Sequence, residues 1–175
     1  MVIEQIAEWH LTGTDEAQIA GLMALCFDTD FGGRSYFKTR HHLRLVIRDA
    51  GQIVAHMALQ CRAMRLGGRL ITVAGLAEVA THPDHRGKGH AQALLQAAIG
   101  TAKAARADHL LLFGDAKLYA AAGFRTVHNP MIFLELQGAL TGVIKHELAE
   151  VLMVLPLGSA DWDETAELDL LGGLF

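Results

Sequence analysis

The sequence predicts a mixed α/β (α+β) fold, in which a mostly antiparallel sheet is flanked by helices. Three apolar runs, Leu43–Ile47, Ile53–Leu66 and Leu70–Thr81, are separated by the turn sequences at 49–51 and 67–68. Short glycine-containing turns between such runs are typical of antiparallel hairpins. The sequence therefore predicts three antiparallel strands joined by tight turns.

A helix and a further strand follow the third run. The apolar residues of 91–106 recur at helical spacing, which predicts a helix with one buried face. His109–Phe113 is a short apolar run and predicts a buried strand. Strand, helix and strand in this order predict a parallel pair, Leu70–Thr81 with His109–Phe113, joined by a right-handed crossover.

The remaining segments are assigned from caps, glycines and prolines. Thr14 or Asp15 caps a first helix, and Asp115 caps a short helix that Gly123 ends. Gly75, inside the third run, predicts a bulge or a close backbone approach. The other predicted elements are a strand within 2–11, a basic helix or loop at 34–44, a strand at 124–128 and a last strand at 151–155. Residues 129–146 give no clear pattern.

Composition limits the class of protein. The 175 residues suit one domain, 1–175, and the 51% of hydrophobic and 19% of charged residues indicate a globular chain. No apolar run reaches the roughly 18 residues that span a bilayer, and the first residues lack a signal-peptide pattern. Two cysteines give no disulfide framework, so a cytoplasmic location is expected. A net charge of −4 argues against a nucleic-acid partner.

Residues 76–91 combine the end of an apolar strand, a glycine-rich turn and the start of a helix. The first N–H groups of a helix have no internal partner, and the helix dipole favours negative charge there. Gly87 and Gly89 allow the backbone to approach a ligand, and Arg86 and Lys88 add positive charge. The stretch predicts a phosphate site, although it has the glycine spacing of neither a P-loop nor a dinucleotide fingerprint.

Two sequence blocks carry a family resemblance. Arg86, Gly89 and Ala91 form Arg-x-x-Gly-x-Ala, and residues 115–125 contain Leu-Tyr-x-x-x-Gly-Phe. Together they resemble the GCN5-related N-acetyltransferases (GNAT). The resemblance implies the GNAT fold, whose two central parallel strands splay apart, and acetyl-CoA as cosubstrate. It also implies the cofactor-binding residues Val79, Ala80, Thr81, Arg86, Gly87, Lys88, Gly89, His90, Ala91 and Asp115.

Acetyl transfer to an amine needs an acceptor for the amine proton and a proton donor for the leaving thiolate. Tyr119 is the predicted acid, because the matching tyrosine of the family faces the cofactor sulfur and a phenol is protonated at neutral pH. Glu78 is the predicted base, since partial burial would raise its pKa. The alternatives are a packing role for Tyr119 and a structural ion pair of Glu78 with an arginine such as Arg62.

The cysteines and histidines are predicted to have neither a covalent nor a metal-binding role. Direct transfer needs no covalent intermediate, so Cys26 and Cys61 are expected to pack in the core. The ten histidines show no metal-binding spacing, and no metal is expected. His82 and His128 are further candidates to carry the amine proton.

We therefore expect an acetyl-CoA-dependent N-acetyltransferase that acts on a primary amine of a small molecule by direct attack in a ternary complex. Val-Leu-Pro-Leu at 154–157, followed by an acidic end, is similar to the ending of aminoglycoside 2′-N-acetyltransferases and nodulation A-type acyltransferases. An aminoglycoside or amino-sugar acceptor is thus one alternative. A non-catalytic acyl-CoA-binding module is another. The oligomeric state is open between monomer and homodimer, and no membrane partner is expected.

The C-terminal segment is strongly acidic. Residues 147–175 hold seven of the 19 acidic residues and none of the 15 Lys and Arg. One interpretation is a solvated chain end. The other is an end that returns to the acceptor cleft, held by Leu170, Leu171, Leu174 and Phe175, where its acids attract a cationic amine.

Overall fold

The computed structural model describes residues 1–114, 117–137 and 140–175, without the side chain of Gln137. Within these residues lie ten strands and three α-helices, in the mixed α and β order that the sequence predicts. In chain order they are β1 (Ile3–Ala7), α1 (Gly13–Cys26), β2 (Leu43–Asp49), β3 (Gln52–Leu66), β4 (Arg69–Thr81), α2 (His90–Ala104), β5 (His109–Phe113), α3 (Lys117–Ala121), β6 (Arg125–Val127), β7 (Pro130–Gln137), β8 (Leu140–Leu148), β9 (Leu152–Pro156) and β10 (Leu168–Gly173).

The chain divides into two compact units. Unit 1 consists of Met1–Gln60 and Leu76–Gly100, and unit 2 consists of Cys61–Gly75 and Thr101–Phe175. The strands β3 and β4 and the helix α2 contribute residues to both units. The sequence predicts a single domain over 1–175, and this stays a prediction.

In unit 1 the predicted hairpin between β2 and β3 is present. The two strands pair antiparallel from Leu43 opposite Leu59 to Asp49 opposite Gln52, and β1 adds an antiparallel strand beside β2. One face of α1 is buried against this sheet. Its buried residues and their partners form one cluster: Ile19, Leu22, Met23, Phe31, Val46, Ile53 and Ala80.

The start of α1 lies earlier than predicted. Thr12, rather than Thr14 or Asp15, is the N-cap: its Oγ1 accepts a hydrogen bond from the Asp15 N–H at 3.1 Å. The Asp15 carboxylate accepts in return from the Thr12 N–H at 3.0 Å. This capping box satisfies two N–H groups that the helix leaves unpaired. Residues 28–42 contain neither helix nor strand. Of the two predicted alternatives for the basic stretch, helix or loop, the loop is therefore present as far as His42.

In unit 2, β9 lies between β5 and β6 and is antiparallel to both. The strand β5 is a neighbour of β4, and α2 connects the two in sequence, as predicted. The start of β5 is tied to β4 because the Asp108 N–H donates to the Thr72 carbonyl at 2.8 Å. In return the Thr72 N–H donates to the Asp108 carboxylate at 2.7 Å.

The segment without a clear sequence pattern forms the antiparallel hairpin of β7 and β8. Almost every residue of β8 is exposed, including Leu140, Val143, Ile144 and Leu148. A strand with no buried face does not need alternating polar and apolar residues, so its sequence carries no period of two.

The acidic C-terminal segment is not a solvated end, and that interpretation is wrong for its last residues. The strand β10 pairs antiparallel with β3 and parallel with β7. Leu168 and Leu170 are fully buried in the core of unit 2, and Trp162 is 5% exposed. The prediction of a solvated end is wrong because the acids at 161–167 occupy exposed loop positions before the strand. They make the segment appear polar, although the strand that follows is apolar.

Candidate active site

The glycine-rich turn of unit 1 connects β4 to α2. Both Gly87 and Gly89 have a left-handed backbone, with φ of 75° and 79°. A Cβ built on either glycine meets no atom within 4 Å, so conformation rather than crowding requires glycine here. The Gly89 carbonyl accepts the Ala93 N–H at 3.0 Å, which starts the hydrogen bonding of α2. Backbone N–H groups of a helix start therefore border open space, as an anion site requires.

Two cations belong to the same turn and are exposed. The Arg86 Nε donates to the Thr81 carbonyl at 3.3 Å, which ties the turn to the end of β4. The Lys88 ammonium lies 3.4 Å from His85 Nδ1. His90 is half-buried at the first position of α2, and Ala91 follows it. The predicted cofactor residues Val79–Thr81 thus lie at the end of β4, and residues 86–91 form the turn and the start of α2 in the same unit.

Glu78 lies at an irregular point of β4. Its φ is 53°, a left-handed value that costs a non-glycine residue about 1 to 2 kcal/mol. The carboxylate, 7% exposed, accepts from the Phe37 N–H at 2.7 Å and from Arg44 Nη1 at 3.1 Å. His41 Nε2 lies 3.0 Å from the same carboxylate. Such strain persists only where the surroundings hold it, and the Phe37 N–H, Arg44 and His41 around the carboxylate do so.

The pKa of Glu78 is lowered, whereas the sequence reading expected it to be raised. Burial by itself would raise this pKa, but the hydrogen bond and charge of His41, the Phe37 N–H and the charge of Arg44 outweigh it. Among the described residues the arginine paired with Glu78 is Arg44, whereas the alternative of a structural ion pair named Arg62 as an example. The guanidinium of Arg62 donates instead to the carbonyls of Gly173 and Leu170, both at 2.6 Å.

Arg44 and His56 form the buried part of this charge network. Arg44 is fully buried and pairs with Glu8 at 2.8 Å as well as with Glu78. Burial first, and then the charge of Arg44, lower the pKa of His56 to about 4, so its ring is neutral near pH 7. His56 Nδ1 lies 2.8 Å from the Glu78 carbonyl, which can only accept. The proton is therefore on Nδ1, and Nε2 accepts from Arg44 Nη1 at 3.3 Å.

Tyr119 belongs to unit 2 and is buried on α3. Burial raises the pKa of its phenol, which therefore stays protonated at neutral pH. Its ring packs edge-on against Phe124, with centroids 5.9 Å apart, and a Cβ built on Gly114 would lie 3.8 Å from it. Gly123, with φ of 94°, ends the helix as predicted. The expected cap and ligand Asp115 lies outside the described residues.

The profile of the acetyltransferase (GNAT) domain matches residues 10–127, about two-thirds of the chain. The chain belongs to the GNAT acetyltransferase family. The match includes the turn, Glu78 and Tyr119, and it confirms the resemblance on which the sequence analysis relied. Comparison with curated protein sequences gives no significant match.

Solved structures of other GNAT proteins share the fold. Escherichia coli YhbS in complex with CoA is 19% identical, with a TM-score of 0.65 over 97% of this chain and 88% of that one. A Brucella melitensis GNAT acetyltransferase in complex with acetyl-CoA is 16% identical, with a TM-score of 0.60 over 95% and 94%. The ribosomal-protein-S18-alanine N-acetyltransferase of Escherichia coli is 18% identical, with a TM-score of 0.60 over 91% and 97%. The predicted α+β GNAT fold is thereby confirmed.

The sequence reading of this GNAT protein missed most of the groups around Glu78. Arg44, His41, His56, Glu8 and the Phe37 amide were not predicted to take part. One signal was available, because an arginine inside the apolar run of β2 needs a buried partner. Nothing local pointed to the Phe37 amide or to His56.

The cysteines of the GNAT chain fall in different environments. Cys26 is half-buried against the core of unit 1 and donates from Sγ to the Thr81 carbonyl at 3.4 Å. Cys61 is exposed, so the expected core packing is wrong there. Within the described ranges, no three His, Cys, Asp or Glu side chains are grouped to hold a metal ion. None of the helices in the described part of the chain is long and apolar enough to cross a bilayer.

Proposed function

We propose that the protein is an N-acetyltransferase that uses acetyl-CoA and transfers the acetyl group to a primary amine of a small molecule. Membership of the GNAT family supports the acyltransferase class. The observation that carries the proposal is the pair of left-handed glycines, Gly87 and Gly89, between β4 and the start of α2. The two similar structures that hold CoA or acetyl-CoA agree with this cosubstrate.

In the proposed reaction the residues of unit 1 hold the cosubstrate. The N–H groups at the start of α2, with Arg86 and Lys88, bind the pyrophosphate, because unpaired helix N–H groups and two cations belong to one exposed turn. The end of β4, Val79–Thr81, binds the pantetheine arm through its backbone. The left-handed φ of Glu78 departs from regular strand geometry, and this supports a role for the adjacent backbone in binding the thioester carbonyl.

The transfer step is a direct attack without a covalent enzyme intermediate. The neutral amine nitrogen forms a bond to the acetyl carbonyl carbon, and the resulting tetrahedral species expels the CoA thiolate as the carbon–sulfur bond breaks. The phenol of Tyr119 gives its proton to that thiolate, and solvent restores it. The raised pKa of Tyr119 supports this role, because the group is fully protonated at neutral pH.

We keep Glu78 as the proposed acceptor of the amine proton, directly or through water. Its lowered pKa makes it a weak base, and a base acts only when deprotonated. The acidic limb of the pH–rate profile should therefore lie below the usual range of a glutamate, and Glu78→Gln should remove it. If the limb is unchanged in that variant, the base lies elsewhere, and the side chain of Glu78 serves to hold the left-handed backbone at this position of β4.

The assay that tests the proposal is thiol release from acetyl-CoA over a panel of amines. The panel includes small primary amines, an aminoglycoside and a peptide with a free N-terminus, since one similar structure is by name a protein N-acetyltransferase. Tyr119→Phe should bind acetyl-CoA normally and turn over about 10²- to 10⁴-fold more slowly. Thiol release from none of the amines, with intact acetyl-CoA binding, would support the non-catalytic module instead.

Cosubstrate binding is tested separately by calorimetry. Gly89→Val places a β-branched residue at a left-handed φ and a side chain in the open space of the turn. We expect a loss of CoA affinity of at least tenfold. Gly100→Ala, in the middle of α2 where a Cβ meets nothing within 4 Å, is the matched control. Equal CoA affinity in a folded Gly89→Val protein would contradict the assignment of the turn.

A further inference from the structure

Unit 2 contains a cavity of about 480 Å³, and no described residue of the proposed cosubstrate site lines it. This size is in the range of small-molecule sites. We call it the β7–β8 cavity, since half of its described lining residues come from β7 and from the end of β8. Its apolar wall is formed by Phe113, Met131, Phe133, Leu148, Val151 and Leu174.

Two carboxylates, Glu147 and Glu150, complete the wall of the β7–β8 cavity. Both residues are exposed. The Lys145 ammonium is 4.0 Å from Glu147 and 3.7 Å from Glu135, so it offsets part of that charge. No Lys or Arg follows Lys145 in the sequence. The cavity is therefore apolar with a net negative rim, which is complementary to a cation on an apolar body.

The β7–β8 cavity is adjacent to the proposed acid. The Gly114 N–H donates to the Val151 carbonyl at 2.8 Å, and a Cβ built on Gly114 would lie 3.8 Å from the Tyr119 ring. Phe113, the residue before Gly114, lines the cavity itself. Within unit 2, the residue that follows Phe113 in the sequence therefore lies next to the ring of the tyrosine that we propose to protonate the leaving group.

The C-terminus fixes one side of the same cavity. Arg62 donates to the Gly173 carbonyl at 2.6 Å, and the Phe175 ring packs against Phe113 with centroids 5.3 Å apart. Leu174, between these two anchored residues, is part of the wall. The wall is therefore held by the tail, although the acids at 161–167 that we first considered for amine attraction do not line it.

We infer that the β7–β8 cavity is the acceptor site and takes a small primary amine with an apolar body, such as an arylalkylamine. The apolar body packs on Phe113, Met131 and Phe133, and the ammonium is drawn in by Glu147 and Glu150 before it loses its proton. This inference rests on the proposed function, and it names the substrate class of that same reaction.

Binding of 2-phenylethylamine to the full chain in the presence of CoA tests the inference, by calorimetry or saturation-transfer NMR. The Glu147→Gln/Glu150→Gln protein should bind this amine about 3- to 10-fold more weakly at low salt, because exposed ion pairs each contribute little. The difference should shrink with added salt. Glu167→Gln, an exposed acid of the same segment outside the cavity, is the charge control.

Filling the cavity gives the larger effect. Val151 is 46% exposed, so Val151→Trp should fold and occupy the cavity volume. We expect at least a tenfold loss of amine affinity, with acetyl-CoA affinity unchanged. Val143→Trp, at a 60% exposed position of β8 outside the cavity wall, is the size control and should bind the amine normally. Equal amine affinity in folded Val151→Trp and wild type would overturn the inference.

The two proposals fail in different ways. If the variants lose amine binding but wild type acetylates no amine, the cavity binds as inferred and the proposed function is wrong. If wild type acetylates amines and both cavity variants keep the wild-type KM for them, the function stands and the acceptor site is elsewhere. 2-Phenylethanol has the apolar body without the charge. It should bind to wild type more weakly than the amine does, and it should bind to the charge variant as strongly as the amine does.

Discussion

The two units treat charge in opposite ways. In unit 1 the charged groups around Glu78 lie in the interior: Arg44 is fully buried, and Glu8 and Glu78 are paired with it. In unit 2 the acids at 161–167 are exposed, while the apolar residues of β10 fill the core. A buried charge must have specific partners, whereas an exposed acid is free to be almost anywhere on the surface.

This comparison explains where sequence composition misled. The acidic run of unit 2 suggested a site or a solvated end, yet its charges contribute little to the fold. No role was predicted for Arg44, which lies within an apolar strand, yet Arg44 pairs with two carboxylates. Charge density in a sequence is therefore a weaker guide than a charge at a position where burial is expected.

The largest expected effect comes from removing β10. Deleting residues 168–175 removes the fully buried Leu168 and Leu170, each contributing roughly 1.5 to 3 kcal/mol through burial, together with two strand pairings. The total is comparable to the whole stability of a typical domain, so unit 2 should unfold. Circular dichroism and hydrogen exchange measure this. Asp161→Asn/Glu167→Gln should remain folded, and a truncated protein with wild-type melting would contradict the structure.

The second prediction compares the fully buried Arg44 with the half-buried Arg62. Arg44→Met leaves Glu8 and Glu78 without their cation and should lower the free energy of unfolding by about 3 to 5 kcal/mol. Arg62→Met loses two bonds to backbone carbonyls and should cost about 1.5 to 3 kcal/mol. Urea unfolding of both variants gives the order. A smaller loss of unfolding free energy in Arg44→Met than in Arg62→Met would contradict the expectation that the buried charges of unit 1 depend more on their partners.

The third prediction concerns pH. The pKa of His56 is about 4 in the folded protein and 6.5 in its ordinary state, so between these values only the unfolded chain takes up the proton. Stability should fall by up to roughly 3 kcal/mol as the pH decreases from 6.5 to 4. The lowered pKa values of Glu8 and Glu78 add a further loss below about pH 4.5.

Variants separate the histidine contributions to this pH profile. His56→Gln should remove most of the slope between pH 6.5 and 4 in urea unfolding. Burial also lowers the pKa of His109 in unit 2, so His109→Gln should remove a share as well. A wild-type unfolding free energy that is flat across this range would show that His56 is not buried as a neutral ring.

The fourth prediction uses Gly75 and Phe175. A Cβ on Gly75 would lie 2.7 Å from the Phe175 ring, so Gly75→Ala should cost about 1 to 3 kcal/mol through overpacking. The double variant with Phe175→Ala should lose less stability than the sum of the two single variants. Strictly additive losses in thermal unfolding would show that the ring does not pack on Gly75.

The smallest effect is expected at an exposed ion pair of unit 2. Glu164 pairs with Arg125, and their side chains are 49% and 44% exposed. Glu164→Gln should change the free energy of unfolding by less than about 1 kcal/mol, and by less still in high salt. A loss as large as that of Arg44→Met would mean that surface and buried pairs do not differ in this protein.

Much of the fold could be predicted, but with uneven success along the chain. The hairpin of β2 and β3, the helix α2 and the left-handed glycines of the turn carry local signals, and the structure contains all three. At Gly75 the sequence predicts a bulge or a close backbone approach, whereas the structure places a side chain there, the Phe175 ring. This partner could not be inferred, because the tail gives no register with a distant strand. The site residues Tyr119 and Glu78 were selected by motif and by strand position, and their catalytic roles stay predictions.

By itself the sequence determined the elements whose causes lie within a few residues: turns that need glycine, a helix with one apolar face, and a glycine turn that leaves N–H groups unpaired. Only the tertiary structure decided which distant groups meet. Arg44 pairs with Glu78 across 34 positions, and Arg62 holds Gly173 across 111. Local propensity says nothing about such pairs, because their stability arises from excluding water around groups that only the folded chain brings together.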